Sequence, residues 1–142
     1  MSSAPIEQAR GGGSSDRLVV FGIAGIAGVQ LFTAAFIFLA PDSFFNHIGP
    51  FGVYNGHYLR DSGVMILGAG LALLASLKWT VLRAGVLAAN LAMFGAHAVN
   101  HWFDIGNAHP GSNAGVLDAV SLTFFMGFTA VVLRAAIRQD AS

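Results

Sequence analysis

Residues 18–40 contain no charged residue and no histidine, and this stretch restricts the fold more than any other feature of the chain. A helix rises about 1.5 Å per residue, so a helix over this stretch is long enough to cross a hydrocarbon core of about 30 Å. A signal peptide is the alternative, because Arg10 and Arg17 precede the stretch. The stretch is longer than the apolar region of a signal peptide and lacks a small-x-small cleavage site. It therefore predicts a transmembrane helix that ends at Pro41.

Three further apolar stretches follow, and the composition fits lipid rather than water as the solvent. The chain of 142 residues is 55% hydrophobic and only 10% charged, whereas charged residues make up about a quarter of an average soluble domain. We therefore predict an all-α integral membrane four-helix bundle, one domain over residues 17–138. The predicted helices cover about residues 18–40, 56–77, 81–103 and 115–136. Residues 1–16 are rich in Gly and Ser and predict a disordered cytoplasmic tail, and residues 139–142 form a C-terminal tail.

The basic residues predict the orientation of the bundle. Lys and Arg accumulate in loops that stay in the cytoplasm. Six of the seven basic residues fall on one side of the predicted bundle: Arg10, Arg17, Lys78, Arg83, Arg134 and Arg138. Only Arg60 falls on the other side. We therefore predict a protein of the bacterial cytoplasmic membrane with both termini in the cytoplasm, and with Arg60 and all five histidines toward the exoplasmic side.

Charge and cysteine content exclude several kinds of function. The formal net charge is zero and the basic residues are scattered singly, so the chain offers no track for a phosphate backbone, and nucleic acid is not an expected partner. The absence of Cys excludes disulfides, thiolate metal sites and cysteine nucleophiles. The remaining side chains that commonly bind metals are His, Asp and Glu. Lipid is the partner that the composition itself predicts.

The third predicted helix carries a polar stripe near its exoplasmic end. His97, His101 and Asp104 are four and three residues apart, so they lie on one face of the helix. Asn90 lies seven residues before His97 and extends the same stripe inward. Ionisable groups at membrane depth normally face the bundle interior and pair with one another. The stripe is therefore predicted to point inward.

The second and fourth predicted helices bring polar groups to the same level. His57 and Asp61 share one face of the second helix, and Asp118 lies one turn below the exoplasmic end of the fourth. Arg60 is the natural counter-ion for these acidic groups. Together these residues predict a pocket at the exoplasmic end of the bundle. Gln30, Thr33, Ser121, Thr123 and Thr129 are interpreted as groups that hydrogen-bond between helices.

A metal site is the most specific interpretation of this pocket. Imidazoles one helical turn apart, supplemented by carboxylates, suit Zn, Fe, Cu or Mn. The predicted metal ligands are His57, Asp61, His97, His101 and Asp104. The residues between His97 and His101 include no Glu, so the metalloprotease motif is absent. Haem fits less well, because a transmembrane electron path needs ligands at both depths of the membrane.

Two other interpretations of the same residues stay open. The polar groups can bind a small polar ligand, with Arg60, Asn90 and Asp118 among the contacts. Alternatively they satisfy one another and cap helix ends, because buried polar groups are normally hydrogen-bonded.

Three sequence strings resemble those of a group of small four-helix bacterial membrane proteins. The strings are YNGHYLRDSG (residues 54–63), HAVNHWFD (residues 97–104) and LDAV (residues 117–120). The positions that match the pattern of that group are Tyr54, Asn55, His57, Arg60, Asp61, His97 and His101. Ser62 departs from the pattern, since it separates Asp61 from Gly63. The resemblance implies that these residues form one unit, and it adds Asn55 to the expected ligand-binding residues.

The layout is also similar to that of DoxX-like proteins, which implies quinone-linked redox chemistry or an accessory role in a larger respiratory-type complex. We therefore expect a membrane protein whose exoplasmic pocket binds a divalent metal or a small polar ligand, with a metal-assisted redox or hydroxylation step as the expected class if it is an enzyme. The alternative is a non-catalytic subunit of a larger membrane complex, in which the polar cluster is structural. A transporter is disfavoured because no polar path continues inward from Asn90.

Overall fold

A computed structural model describes residues 13–109 and 113–141 of the chain. Within these residues the fold consists of α-helices joined by short connections. The helices are α1 (Ser14–Leu39), α2 (Pro41–His47), α3 (Gly56–Lys78), α4 (Arg83–Phe103) and α5 (Ala114–Asp140), with a 3-10 turn at Thr80–Leu82 before α4. The disordered tail was predicted for residues 1–16. Residues 1–12 lie outside the described residues, whereas residues 14–16 form the first turn of α1.

Four helices in the described part of the chain are long and apolar enough to cross a membrane. The prediction of an all-α chain with the helices of a membrane bundle is thereby confirmed. The first and last helices extend beyond the predicted ranges, since α1 begins at Ser14 and α5 continues to Asp140. Both extensions carry charges that suit helix ends, with Asp16 in the first turn of α1 and Arg138 in the last turn of α5. These turns need no apolar sequence, which is why hydropathy missed them.

The short helix α2 was not predicted. It begins directly after α1 and has Pro41 at its first position, where the fixed φ and the missing N–H of proline are favourable. The Phe44 ring packs edge-on against Phe36 of α1, with 5.6 Å between the ring centroids. The segment that begins at Pro41 is therefore a helix held against the end of α1.

The two ends of the bundle differ in the connections that they contain. We call the end with the start of α1, the turn at Trp79 and the end of α5 the terminal end. The loop end contains α2 and the connections at residues 48–55 and 104–109. In packing, α1 lies mainly against α3 and α4 mainly against α5, while α1 also contacts α5.

The terminal half of the bundle contains the packed core. Large aliphatic side chains from all four long helices are completely buried there: Val19, Ile23, Leu73, Leu87 and Val132. α1 and α5 approach closely at Gly22, where a Cβ atom would lie 2.5 Å from Cγ2 of Val132. Lipid tails are as apolar as these side chains, so van der Waals packing rather than hydrophobic burial holds such helices together. The small residue at position 22 allows this contact.

Candidate functional site

A cavity of about 380 Å³ lies at the loop end, and we call it the loop-end pocket. Side chains from all five helices and from the connection after α2 line it. Most of its wall is apolar or aromatic, including Ile37, Phe44 and Leu122. Its ionisable lining residues in the described part of the chain are His97, His101 and Asp118. Pockets of this size, apolar with a few convergent polar groups, are typical of small-molecule sites.

The two histidines are positioned by their spacing on α4. One helical turn separates His97 from His101, and their ring centroids are 4.6 Å apart in an edge-to-face arrangement at 86°. The ring of Phe51 packs edge-on against the other side of the pair, 4.9 Å from the His101 centroid. Nδ1 of His101 is buried and has no hydrogen-bond partner among the described residues. His101 therefore retains an unused hydrogen-bonding atom at the pocket.

Asp118 lies on α5, the helix that packs against α4, and it lines the same pocket. The carboxylate is half-buried and interacts electrostatically with His101. The helix pair therefore presents two imidazoles and one carboxylate to a single space. Such a set can donate, accept or exchange protons.

The connection after α2 is attached to the connection after α4. The backbone N–H of His109 donates to the Pro50 carbonyl at 3.0 Å, and a β-bridge joins Phe51 to Ala108. A ring nitrogen of His109 lies 3.0 Å from the Gly52 carbonyl oxygen. These contacts hold Phe51 over the pocket. No sequence motif predicts this arrangement, because it depends on contacts between two loops that are distant in sequence.

Tyr54 is part of the same loop layer. Its ring packs against Phe45 of α2, with 5.4 Å between the centroids. Partial loss of hydration, together with a side-chain hydrogen bond to Asp42, raises the pKa of Tyr54 above its usual value. The hydrogen bond to Asp42 and the ring contact with Phe45 both attach residues 48–55 to α2.

His57 and Asp61 lie outside the loop-end pocket. As their spacing predicts, they meet on one face of α3, with 3.5 Å between Nε2 and Oδ2. Their side chains are 85% and 61% exposed, so the pair faces outward rather than into the bundle. Arg60 beside them is also exposed, and in the described ranges it forms no ion pair with the acidic groups expected to neutralise it.

Asn55 and Asp104 have structural partners at helix ends. Oδ1 of Asn55 accepts the backbone N–H groups of His57 and Tyr58, both at 3.1 Å, so Asn55 is the N-cap of α3. Asp104 follows the last residue of α4 and accepts hydrogen bonds from the side chains of Asn100 and Asn107 at 3.3 and 2.9 Å. These contacts match the expectation that some of the polar groups cap helix ends.

Asn90 lies deeper in the bundle. It is buried, and its Oδ1 accepts a hydrogen bond from Nε2 of Gln30 on α1 at 2.6 Å. Its Nδ2 donates to the Val86 carbonyl at 2.9 Å. The sequence assigned Gln30 only a hydrogen bond between helices, and this bond is present. The residues Thr33 and Ser121, interpreted in the same way, line the loop-end pocket instead.

The predicted metal ligands are thus distributed over three places: the pocket, the exposed face of α3 and the end of α4. Over residues 13–109 and 113–141, no three His, Asp or Glu side chains are grouped closely enough to hold one metal ion. The pair His97 and His101 is the part of the predicted set that the fold keeps together at the pocket.

Comparison with known proteins gives no additional guide to this site. No family model, no curated protein and no solved structure matches the chain.

Proposed function

We propose that this protein binds a small amphipathic molecule in the loop-end pocket. The observation that carries the proposal is the combination, in one cavity of about 380 Å³, of an apolar and aromatic wall with His97, His101 and Asp118. The polar end of the ligand contacts the imidazoles and the carboxylate. Its apolar part lies along the wall between α1, α3 and α5.

A hydroxylated ring, such as the head group of a quinol, has the chemistry that such a pocket recognises. Its O–H groups donate to the carboxylate of Asp118 and to an imidazole nitrogen. Edge-to-face contacts with the rings of Phe44 and Phe51 favour an aromatic ligand. His97, His101 and Asp118 can each accept a proton that the ligand releases. Such acceptors suit membrane-linked redox chemistry.

We further propose that the pocket opens on the exoplasmic side of a bacterial cytoplasmic membrane. At the terminal end, the described basic residues are Arg17, Lys78, Arg83, Arg134 and Arg138, whereas the loop end has only Arg60. The positive-inside rule supports this orientation. Fusing a periplasmically active reporter enzyme to either terminus tests it, since both fusions should be inactive.

Binding of trimethylhydroquinone to the purified protein in lipid nanodiscs tests the proposed function. We expect saturable binding that Asp118→Asn and His101→Gln weaken at least tenfold, since each removes a hydrogen bond to a charged or buried partner. The matched controls are Asp61→Asn and His57→Gln, because these residues are exposed outside the pocket. The proposal would be refuted if the pocket variants and the control variants lost the same affinity, or if the wild type did not bind trimethylhydroquinone.

A metal held by the histidine pair is the second candidate, favoured by the 4.6 Å separation of the two rings. Elemental analysis of the protein after addition of ZnCl₂ and dialysis tests it. Stoichiometric zinc that is lost from a His97→Gln/His101→Gln variant but kept in His57→Gln supports this candidate. Absence of zinc from the wild type removes it. Copurification of a large partner from native membranes would instead favour a non-catalytic subunit.

A further inference from the structure

A second cavity lies at the centre of the bundle, and the proposed function does not use it. It has a volume of about 190 Å³ and is lined by residues of α1, α3, α4 and α5. Four residues line both this central cavity and the loop-end pocket: Thr33, Ile66, Ser121 and Leu122. The two spaces therefore adjoin each other along the same helices.

The wall of the central cavity contains a hydrogen-bond acceptor without a partner. Gln30 lines the cavity and is only 1% exposed, and its Oε1 is bonded to nothing in the described part of the chain. A buried acceptor left in this state is unfavourable, because it has lost its hydrogen bonds to water and gained none in the protein.

The neighbouring hydrogen bonds fix which atom of the amide is free. Nδ2 of Asn90 donates to the Val86 carbonyl, so the other atom that Asn90 offers to Gln30 is its oxygen Oδ1. Gln30 must present its NH₂ group to that oxygen. Its own oxygen is consequently the unpaired atom, and a partner for it must be a donor.

The central cavity also reaches the surface that faces lipid. Val29 on α1 and Ser121 on α5 line it, and both are exposed on the outside of the bundle, with Val29 at 52%. Val29 lies near the middle of α1, so lipid rather than water surrounds this opening. A molecule dissolved in the bilayer can therefore reach the cavity sideways, between α1 and α5.

From these observations we infer that the ligand is a membrane-dissolved amphiphile with a hydrogen-bond donor at its inner end, which Gln30 Oε1 accepts in the central cavity. The inference rests on the proposed function, since the other end of the ligand occupies the loop-end pocket. Along α4, Asn90 is seven residues from His97 and eleven from His101, which corresponds to about 10–16 Å. The ligand spans this distance with an apolar body.

A matched pair of probes, 1-octanol and 1,8-octanediol, tests the inference by calorimetry in lipid nanodiscs. The two probes differ only in the donor at the second end. We divide the dissociation constant of 1-octanol by that of 1,8-octanediol. This ratio should be about fivefold to tenfold larger in the wild type than in Gln30→Met, because the variant loses one hydrogen bond to the diol. Partitioning into lipid cancels in this ratio, since each probe partitions equally in both samples. Gln139→Met, at the far end of α5, is the control.

An unchanged ratio in Gln30→Met would overturn the inference and leave the proposed function intact, provided that His101→Gln and Asp118→Asn still weaken both probes. Insensitivity to those two variants would instead contradict the proposed function. A series of diols needs no mutation. The gain in affinity of each diol over the mono-alcohol of the same length should be largest at about eight to twelve carbons, because such chains match the span of about 10–16 Å. A flat series would contradict the inference.

Discussion

The terminal half and the loop half of the bundle differ in packing. In the terminal half, large aliphatic residues such as Leu73, Leu87 and Val132 are completely buried. In the loop half, Ile37, Pro50 and Phe94 are the larger buried residues, and the other buried positions are small: Ala34, Gly63, Ala98, Gly115 and Ala119. The size of the residues that face one another decides whether helices enclose a core or a cavity. Hydropathy does not report this size, so it does not predict which half contains the cavity.

The cavities have an energetic cost that the terminal half must offset. Side chains that line an empty space lose the dispersion contacts that would otherwise stabilise the bundle. In lipid these contacts supply most of the attraction between helices. The packed half therefore stabilises the fold, and the open half is available for binding.

Comparing the stability of Leu87→Ala with that of Ile66→Ala is the strongest test of the difference in packing between the two halves. We expect Leu87→Ala to lower the free energy of unfolding by about 2 kcal/mol or more, because Leu87 is completely buried in the packed core. Ile66 is half-buried and lines both cavities, so its truncation should cost less than half as much. Reversible unfolding in mixed micelles measures both, and equal costs would contradict the comparison.

Gly22→Ala should lower the free energy of unfolding by about 1–3 kcal/mol, because the new Cβ would lie 2.5 Å from Val132 Cγ2. Gly28→Ala is the control on the same helix, since no atom lies within 4 Å of its Cβ position. Val132→Ala in the Gly22→Ala background should recover part of the loss. Ala favours the helix more than Gly does, so Gly28→Ala should not destabilise the protein. A Gly28→Ala variant as unstable as Gly22→Ala would show that contact with Val132 does not determine the effect.

The buried bond between Gln30 and Asn90 lies at the boundary of the two halves. A double-mutant cycle with Gln30→Leu and Asn90→Leu should give a coupling free energy of about 0.6–1.7 kcal/mol, the range measured for such bonds in membranes. The same micelle unfolding assay measures it. A coupling indistinguishable from zero would mean that the 2.6 Å contact does not stabilise the bundle.

The smallest effect is expected at the exposed pair on α3. Asp61→Asn should change the free energy of unfolding by less than about 0.5 kcal/mol, because His57 and Asp61 are 85% and 61% exposed and water screens their attraction. A loss above about 2 kcal/mol would indicate a buried partner for Asp61 and revive the larger predicted cluster.

Several features of the site follow from the sequence, for identifiable reasons. Helical periodicity fixed the contact between His97 and His101, since residues four apart lie on one face. The same rule paired His57 with Asp61 but did not say which way that face points. Near the end of a spanning helix, ionisable groups can reach water, so they need not turn inward.

Other features depend on contacts between distant segments. Phe51 lines the loop-end pocket, and the hydrogen bond between residues 50 and 109 across two loops holds it there. The bond from Gln30 to Asn90 joins α1 to α4, and the free oxygen that it leaves depends on the rotamer of both amides. Local patterns carry no information on either, so neither the position of Phe51 at the pocket nor the central cavity could be predicted from sequence.

Thiol labelling at two serines of α3 tests most directly that the loop half is open and the terminal half is closed. The chain contains no Cys, so Ser62→Cys and Ser76→Cys each introduce a single thiol. Ser62 lines the loop-end pocket, whereas Ser76 is completely buried although it lies only two residues from the end of the helix. A small methanethiosulfonate reagent should modify Cys at position 62 rapidly, with protection by a bound probe, and leave position 76 unmodified in the folded protein. Equal modification at both positions, or rapid modification only at 76, would contradict the account.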